Sequence, residues 1–191
     1  MGAGLDMGDD DRLAPVVHSV IDPSRSAGYQ GVKNLQDQSP TQSLRSARRL
    51  TRAEAPLKLA FARRLRDLGL LAGRRDVLAE RDGAVTDGIT LVRASAGCPQ
   101  QYGHCDRATE QSLSHLPLAK VPLSALVALQ DDTRLVVNGV EISIAANEMV
   151  IFRGDLCHAG AGYAQCNTRL HAYLDPVGWR RVEGLLHGCL V

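Results

Sequence analysis

Apolar and polar residues alternate with a period of two along the C-terminal half of the chain, beginning after residue 83. Such alternation predicts half-buried β-strands, and residues 140–144 (VEISI) show it most cleanly. The expected strands are 85–94, 102–106, 124–130, 133–138, 140–144, 149–153 and 168–174. Asn138-Gly139 is a strong hairpin signal between two of them. Many short strands with turns and no helix between them predict an antiparallel sandwich or barrel.

A second pattern, with helical spacing, lies in residues 45–75. The apolar residues that recur at this spacing are Leu57, Phe61, Leu65, Leu68 and Ala72. Pro56 lies near the start and Gly73 at the end, where these residue types are common in helices. The pattern predicts one basic amphipathic helix over 45–75 that supports the barrel. Residues 1–44 are polar and rich in turn signals, so we expect them to be loosely ordered, and we assign 76–191 to the β domain.

Length and composition set the class of protein. The chain has 191 residues, of which 45% are hydrophobic, and this suits one globular domain that needs no disulfide to fold. Its five cysteines fit no paired zinc motif, so we interpret them as free thiols. No apolar stretch is long enough to span a membrane, and the acidic N-terminus is unlike a signal peptide. We therefore expect a soluble intracellular protein that does not bind membranes.

The net charge of +1 hides an uneven distribution. Residues 45–75 hold ten basic and two acidic side chains, a net +8, which leaves −7 for the rest of the chain. A solvated face of a surface helix is the simpler interpretation of this basic segment. The alternative is a contact surface for nucleic acid or another anionic partner. No aromatic residues lie between the arginines to stack on bases, and this weakens the nucleic-acid version.

Two histidines and an aspartate lie where predicted strands begin or end. His104 and Asp106 are two residues apart, so their side chains point to the same face of a strand. His158 comes 52 residues after Asp106, beyond the strand 149–153, and a barrel can bring it back beside the first pair. Two histidines and one carboxylate form the facial triad of non-haem Fe(II) oxygenases. Structural zinc sites use four protein ligands, which this set does not supply.

An arginine follows 11 residues after the second histidine. Arg169 lies on the next predicted strand, and a guanidinium is a natural bidentate partner for a carboxylate. It would hold the far carboxylate of a dicarboxylic cosubstrate whose keto-acid end chelates the metal. His171 and Tyr173 share its face and are expected to line the same cavity. The alternative role for Arg169 is an ion pair with an acid such as Asp175 or Glu148.

Three segments carry a resemblance to a known family. Residues 97–106 (GCPQQYGHCD), 152–160 (FRGDLCHAG) and 167–170 (NTRL) resemble the 2-oxoglutarate/Fe(II)-dependent dioxygenase superfamily. The pattern of that superfamily is H-x-D, then a histidine about 50 or more residues later, then an arginine about ten residues further on. The resemblance covers about residues 84–175.

The resemblance implies a mainly β fold, a double-stranded β-helix of the jelly-roll or cupin-like kind. It implies that His104, Asp106 and His158 form the catalytic metal site and bind Fe(II), and that Arg169 binds the C5 carboxylate of 2-oxoglutarate. The implied reaction uses O2 to oxidise or hydroxylate a substrate, with release of succinate and CO2. The sequence does not identify the substrate.

Two other functions remain open at this stage. The first is a non-catalytic cupin-like module that binds a metal or a small ligand without turnover. The second is an Fe(II) oxygenase that does not use 2-oxoglutarate, in which Arg169 would be structural.

Overall fold

The computed structural model describes residues 17–18, 44–78, 88–106, 116–179 and 187–188. This part of the chain contains one α-helix, α1 (Ala55–Asp67), and eleven strands. The strands are β1 (Val17–His18), β2 (Arg45–Arg49), β3 (Ile89–Ala94), β4 (His104–Cys105), β5 (Leu123–Ala128), β6 (Thr133–Val137), β7 (Val140–Ile144), β8 (Met149–Arg153), β9 (His158–Gly160), β10 (Asn167–Leu174) and β11 (His187–Gly188). Within these described ranges, no helix is both long and apolar enough to cross a membrane.

The strands form two sheets. One has the order β1-β8-β5-β10-β3-β2, and the other has the order β11-β4-β9-β6-β7. Strands β3 to β10 supply four neighbouring strands to each sheet, all in antiparallel pairs. This arrangement is a double-stranded β-helix, and the predicted fold class is confirmed. β1 and β2 extend one sheet and β11 extends the other.

The strands in the middle of the six-stranded sheet are covered on both faces. Leu123, Ala125 and Val127 of β5 belong to a buried cluster on the outer face, together with Phe61 and Leu65 of α1. The intervening apolar residues of β5 belong to a second cluster, shared with β6 and β7 of the opposite sheet. Burial on both faces explains why β5 is a continuous run of buried residues and does not alternate with exposed ones.

The helix is shorter than the sequence predicts, and the predicted extent of 45–75 is wrong. Arg45–Arg49 instead forms β2, which pairs antiparallel with the edge of β3. A helix cannot run through Pro56, because its ring would clash with the carbonyl one turn earlier, and Pro56 therefore lies in the first turn of α1. Gly69 adopts a φ of 70°, so the chain leaves the helix there and not at Gly73.

Several basic side chains of residues 45–75 are structural and do not belong to a solvated face. Arg74 is buried and donates hydrogen bonds to the carbonyl oxygens of Val121 and Leu118. Arg64 is also buried and donates to the carbonyl oxygen of Asn147 across 2.7 Å. The expected contact with an anionic partner or nucleic acid stays a prediction. The exposed basic residues on or beside α1 that would make this contact are Arg52, Arg63 and Arg66.

Candidate metal centre

Strand β10 places polar side chains inside the barrel. Its residues Leu170, Ala172 and Leu174 belong to the outer apolar cluster beneath α1. Side chains alternate along a strand, so the polar residues Arg169, His171 and Tyr173 face the space between the two sheets. Strand β10 is therefore apolar on its outer face beneath α1 and polar on the face that lines the barrel interior.

The structure brings the three predicted metal ligands together. His104 of β4 and His158 of β9 are directly opposite each other in the antiparallel ladder, with ring centroids 4.5 Å apart. Asp106 follows β4, and its Oδ1 lies 3.7 Å from His158 Nε2. One ligand atom from each of the three residues lies within 4.8 Å of the others. All three side chains are buried, with exposures of 7–8%.

Main-chain carbonyls fix the orientation of both imidazoles. His104 Nδ1 lies 3.0 Å from the carbonyl oxygen of Tyr102, and His158 Nδ1 lies 3.0 Å from that of Leu156. A carbonyl oxygen can only accept, so each Nδ1 carries the proton that is shared in the hydrogen bond. In the neutral ring, Nε2 then has the free lone pair, and this is the tautomer that metal ligation through Nε2 needs. Each carbonyl comes from the residue two positions earlier in the chain.

The carboxylate of Asp106 is also held in place. The Ser124 hydroxyl donates a hydrogen bond to Oδ2, and the Tyr173 hydroxyl lies 3.5 Å from Oδ1. The sequence-based prediction missed Ser124. Its signal is a single hydroxyl in the otherwise apolar run LSALVA of β5, at a position that faces the barrel interior. This contact leaves Oδ1 as the oxygen that faces the histidines.

The electrostatic surroundings keep Asp106 ionised. Burial raises the pKa of this carboxyl, but the positive charges that the imidazoles of His158, His171 and His104 carry when protonated oppose that effect, as does the hydrogen bond from Ser124. The net result is a pKa lowered to about 2. Asp106 is therefore negatively charged at neutral pH, which is the state required of a metal ligand.

The donor set fits a divalent metal of the first transition row. Two imidazole nitrogens and one carboxylate oxygen approach from one side, and such a set leaves further coordination positions open. Within residues 17–18, 44–78, 88–106, 116–179 and 187–188, this is the one group of three or more His, Cys, Asp or Glu residues with ligand atoms close enough for a metal. The cluster could therefore hold a metal ion.

Arg169 has no acidic partner in the described part of the chain. Its side chain is 5% exposed, and its Nη1 is buried without a hydrogen-bond partner. Burial lowers the pKa of this guanidinium. Glu148 and Asp175 are the acidic partners considered from the sequence. The negative charge of Glu148 instead favours the charged form of Arg64, and that of Asp175 favours the charged form of Arg74. The structure therefore does not support a cross-strand ion pair of Arg169 with either acid.

Replacing Ser124 by alanine is expected to weaken metal binding by about 10- to 100-fold, the usual cost of losing a contact that orients a ligand. The variant leaves Oδ2 of Asp106 without its donor, so the carboxylate can rotate away from the histidines. Titration with Mn(II) in the absence of oxygen measures the effect. Thr133→Val is the matched control, because it removes a buried hydroxyl hydrogen-bonded to Asn167 in the opposite sheet. Equal affinities in wild type and Ser124→Ala would contradict this role of Ser124.

No protein-family model matches this sequence, and no curated protein matches it either. A prolyl-4-hydroxylase from Pseudomonas putida is similar in structure, with a TM-score of 0.45 and 20% identity over 70% of this chain and 72% of that chain. A salicylate 1,2-dioxygenase from Pseudaminobacter salicylatoxidans has a TM-score of 0.36 and 12% identity over 66% of this chain and 34% of that chain. A DMSP lyase has a TM-score of 0.34 and 10% identity over 47% of this chain and 38% of that chain.

The chain thus spans 34% and 38% of the length of the last two structures. These similarities are distant and say nothing about the activity of this protein. The double-stranded β-helix is established by the strand order of the two sheets.

Proposed function

We propose that this protein is an Fe(II)- and 2-oxoglutarate-dependent dioxygenase. It would use O2 to oxidise or hydroxylate a substrate and release succinate and CO2. His104, Asp106 and His158 would bind Fe(II), and Arg169 would bind the C5 carboxylate of 2-oxoglutarate. The observation that carries the proposal is the pairing of two features inside one barrel: three oriented metal donors and a buried arginine without an acidic partner.

Each residue has a definite task in this proposal. The carbonyls of Tyr102 and Leu156 hold the imidazoles so that each Nε2 is free for the metal. Ser124 holds one carboxylate oxygen of Asp106 and leaves the other for the ion. Iron, when bound, supplies the redox chemistry that activates O2. The protein contributes a buried site that keeps solvent away from the reacting groups.

The arginine favours a ligand with an acidic group. A charged side chain buried without a partner is costly, and a neutral ligand would not offset that cost. Arg169 and His171 are two residues apart on the same face of β10, a rise of about 7 Å. Tyr173 lies two residues further along this face, and its hydroxyl is 3.5 Å from Asp106 Oδ1. A ligand held at Arg169 would thus extend along β10 toward the metal ligands, as a keto acid with a second carboxylate could.

The test combines ligand binding with turnover. The protein is purified without oxygen and titrated with Fe(II) and then with 2-oxoglutarate, and succinate is measured after O2 is admitted. We expect tight iron binding and succinate that depends on 2-oxoglutarate. Glutarate is the control cosubstrate, because it has both carboxylates but lacks the keto group that chelates a metal.

The other outcomes identify the alternatives. Iron binding without affinity for 2-oxoglutarate would indicate an Fe(II) oxygenase with a different reductant. Binding of both without any succinate would indicate a non-catalytic module. Absence of iron binding would overturn both oxygenase interpretations.

A further inference from the structure

A second arginine approaches Arg169 at one glycine. A β-carbon on Gly160 would lie 2.7 Å from Arg45 Nη1 and 3.2 Å from Arg169 Nη2. Both guanidiniums therefore lie next to the same point of the backbone of β9. The same β-carbon would lie 2.6 Å from Gln101 Oε1, so glycine leaves the space that these three side chains occupy.

Main-chain carbonyls hold Arg45 in this place. Its Nη2 donates hydrogen bonds to the carbonyl oxygens of Pro99 and Ala161, at 2.7 and 2.6 Å, and more weakly to that of Gly160 at 3.2 Å. Its other two guanidinium nitrogens, Nε and Nη1, are buried and have no hydrogen-bond partner. One nitrogen thus anchors the group, and unused donors remain beside Arg169.

No acid of the described residues forms an ion pair with either arginine. Each guanidinium has a buried Nη1 without a partner, and the positive charge of Arg45 lowers the pKa of Arg169 further. Tyr163 lies next to the pair, with its ring centroid 5.9 Å from Arg169 Cζ, but its neutral ring does not balance two charges. Two like charges with buried nitrogen atoms, and with no acid paired to them among the described residues, form an unfavourable arrangement that an anion would relieve.

We propose that Arg45 is a second anion-binding residue, and that Arg45 and Arg169 together bind one carboxylate group of the cosubstrate. This inference rests on the proposed function and refines its anion subsite. A carboxylate has two oxygens and about four lone-pair positions, so it can accept hydrogen bonds from both guanidiniums. A phosphate group offers the same chemistry, and the experiment below separates the two.

Arg45 would make β2 part of the anion subsite. Arg45 is the first residue of β2, which lies outside the eight strands of the barrel and pairs with β3 alone among the described strands. A residue that precedes the barrel in the chain would thus complete the anion subsite inside it.

Arg45→Lys is the main test variant, because it keeps the positive charge and a donor for the three carbonyls but loses the planar fork. Binding of 2-oxoglutarate is measured by calorimetry on the Mn(II)-loaded protein without oxygen. We expect roughly a tenfold weaker Kd for 2-oxoglutarate and an unchanged Kd for Mn(II). Arg45→Gln, which retains only a neutral donor, is expected to weaken binding more, and it serves if the lysine variant does not fold.

Arg134→Lys is the matched control. Arg134 also lies against Tyr163 and donates to a main-chain carbonyl, that of Gly162, but it is paired with Glu141. Its charge is already balanced, so we expect its 2-oxoglutarate affinity to stay within about twofold of wild type. Inorganic phosphate is titrated into the same proteins without metal as a second probe.

The outcomes separate this inference from the proposed function. Equal 2-oxoglutarate affinity in wild type and both Arg45 variants would overturn the inference and leave the function standing. If wild type binds phosphate but not 2-oxoglutarate, and Arg45→Lys weakens phosphate binding, Arg45 is an anion-binding residue, but the assignment of a cosubstrate carboxylate to it and the proposed function are both overturned. Absence of binding to either anion would overturn both.

Discussion

His158→Ala is expected to lower the affinity of the protein for Mn(II) or Fe(II) by roughly 60- to 700-fold. Binding free energies of about 10–16 kcal/mol for four-ligand zinc sites correspond to about 2.5–4 kcal/mol for each ligand. Each 1.4 kcal/mol is a factor of ten, so the loss of one ligand costs roughly 60- to 700-fold. His104→Ala should give a loss of similar size, because the two rings are oriented in the same way. Anaerobic titration with Mn(II), followed by calorimetry, measures both.

The matched control for the metal ligands is His171→Ala. His171 lies on the same lining face as Arg169 and its ring contacts Tyr173, but it is outside the group whose ligand atoms converge. We expect its metal affinity to stay within about tenfold of wild type, since it supplies no ligand atom and acts on Asp106 through electrostatics and through its contact with Tyr173. If His158→Ala and His171→Ala bind metal equally well, the ligand assignment is wrong.

Arg169→Met is expected to weaken the binding of 2-oxoglutarate and to stabilise the ligand-free protein. It should weaken 2-oxoglutarate binding by roughly 30-fold to several thousandfold, the range that follows from about 2–5 kcal/mol for the loss of one partner of a buried charge pair. It should also raise the melting temperature of the ligand-free protein, because a buried charge without a partner is replaced by an apolar chain of similar length. A gain of about 1 kcal/mol corresponds to roughly 2–4 °C for a chain of this size.

Arg134→Met is the control for this second prediction. Arg134 has carboxylate partners in Glu141 and Asp132, so its removal should not stabilise the protein. Differential scanning calorimetry with and without 2-oxoglutarate measures both effects. A lower melting temperature for Arg169→Met, together with unchanged 2-oxoglutarate affinity, would show that Arg169 is structural.

The strands of the barrel are largely predictable from the sequence, because β7 alternates apolar and polar residues and β5 and β8 are short, mainly apolar runs between turns. The exceptions have physical causes. His158–Gly160 has only three residues and little β-forming character, and the ladders to β4 and β6 make it a strand. Arg45–Arg49 continues the basic character of the helix that follows, and only the open edge of β3 makes it extended.

The sequence indicates some residues of the candidate site and gives no signal for others. His104, Asp106, His158 and Arg169 could be selected because their residue types and spacing are unusual together. The carbonyl groups that orient the imidazoles have no sequence signal, since every residue has one. Arg45 is not assigned to the site from the sequence for another reason. A segment interpreted as helix is not expected to place a side chain beside β9 and β10.

The sequence of β2 also affects how the protein behaves toward copies of itself. β2 is the outermost strand on its side of the described sheet, and such an edge offers unpaired main-chain groups to any extended chain. Arg48 and Arg49 lie on this edge strand, and Glu54 forms an ion pair with Arg48. Charged side chains on an edge strand disfavour pairing with a second copy, so the strand that brings Arg45 to the anion subsite also opposes edge-to-edge aggregation.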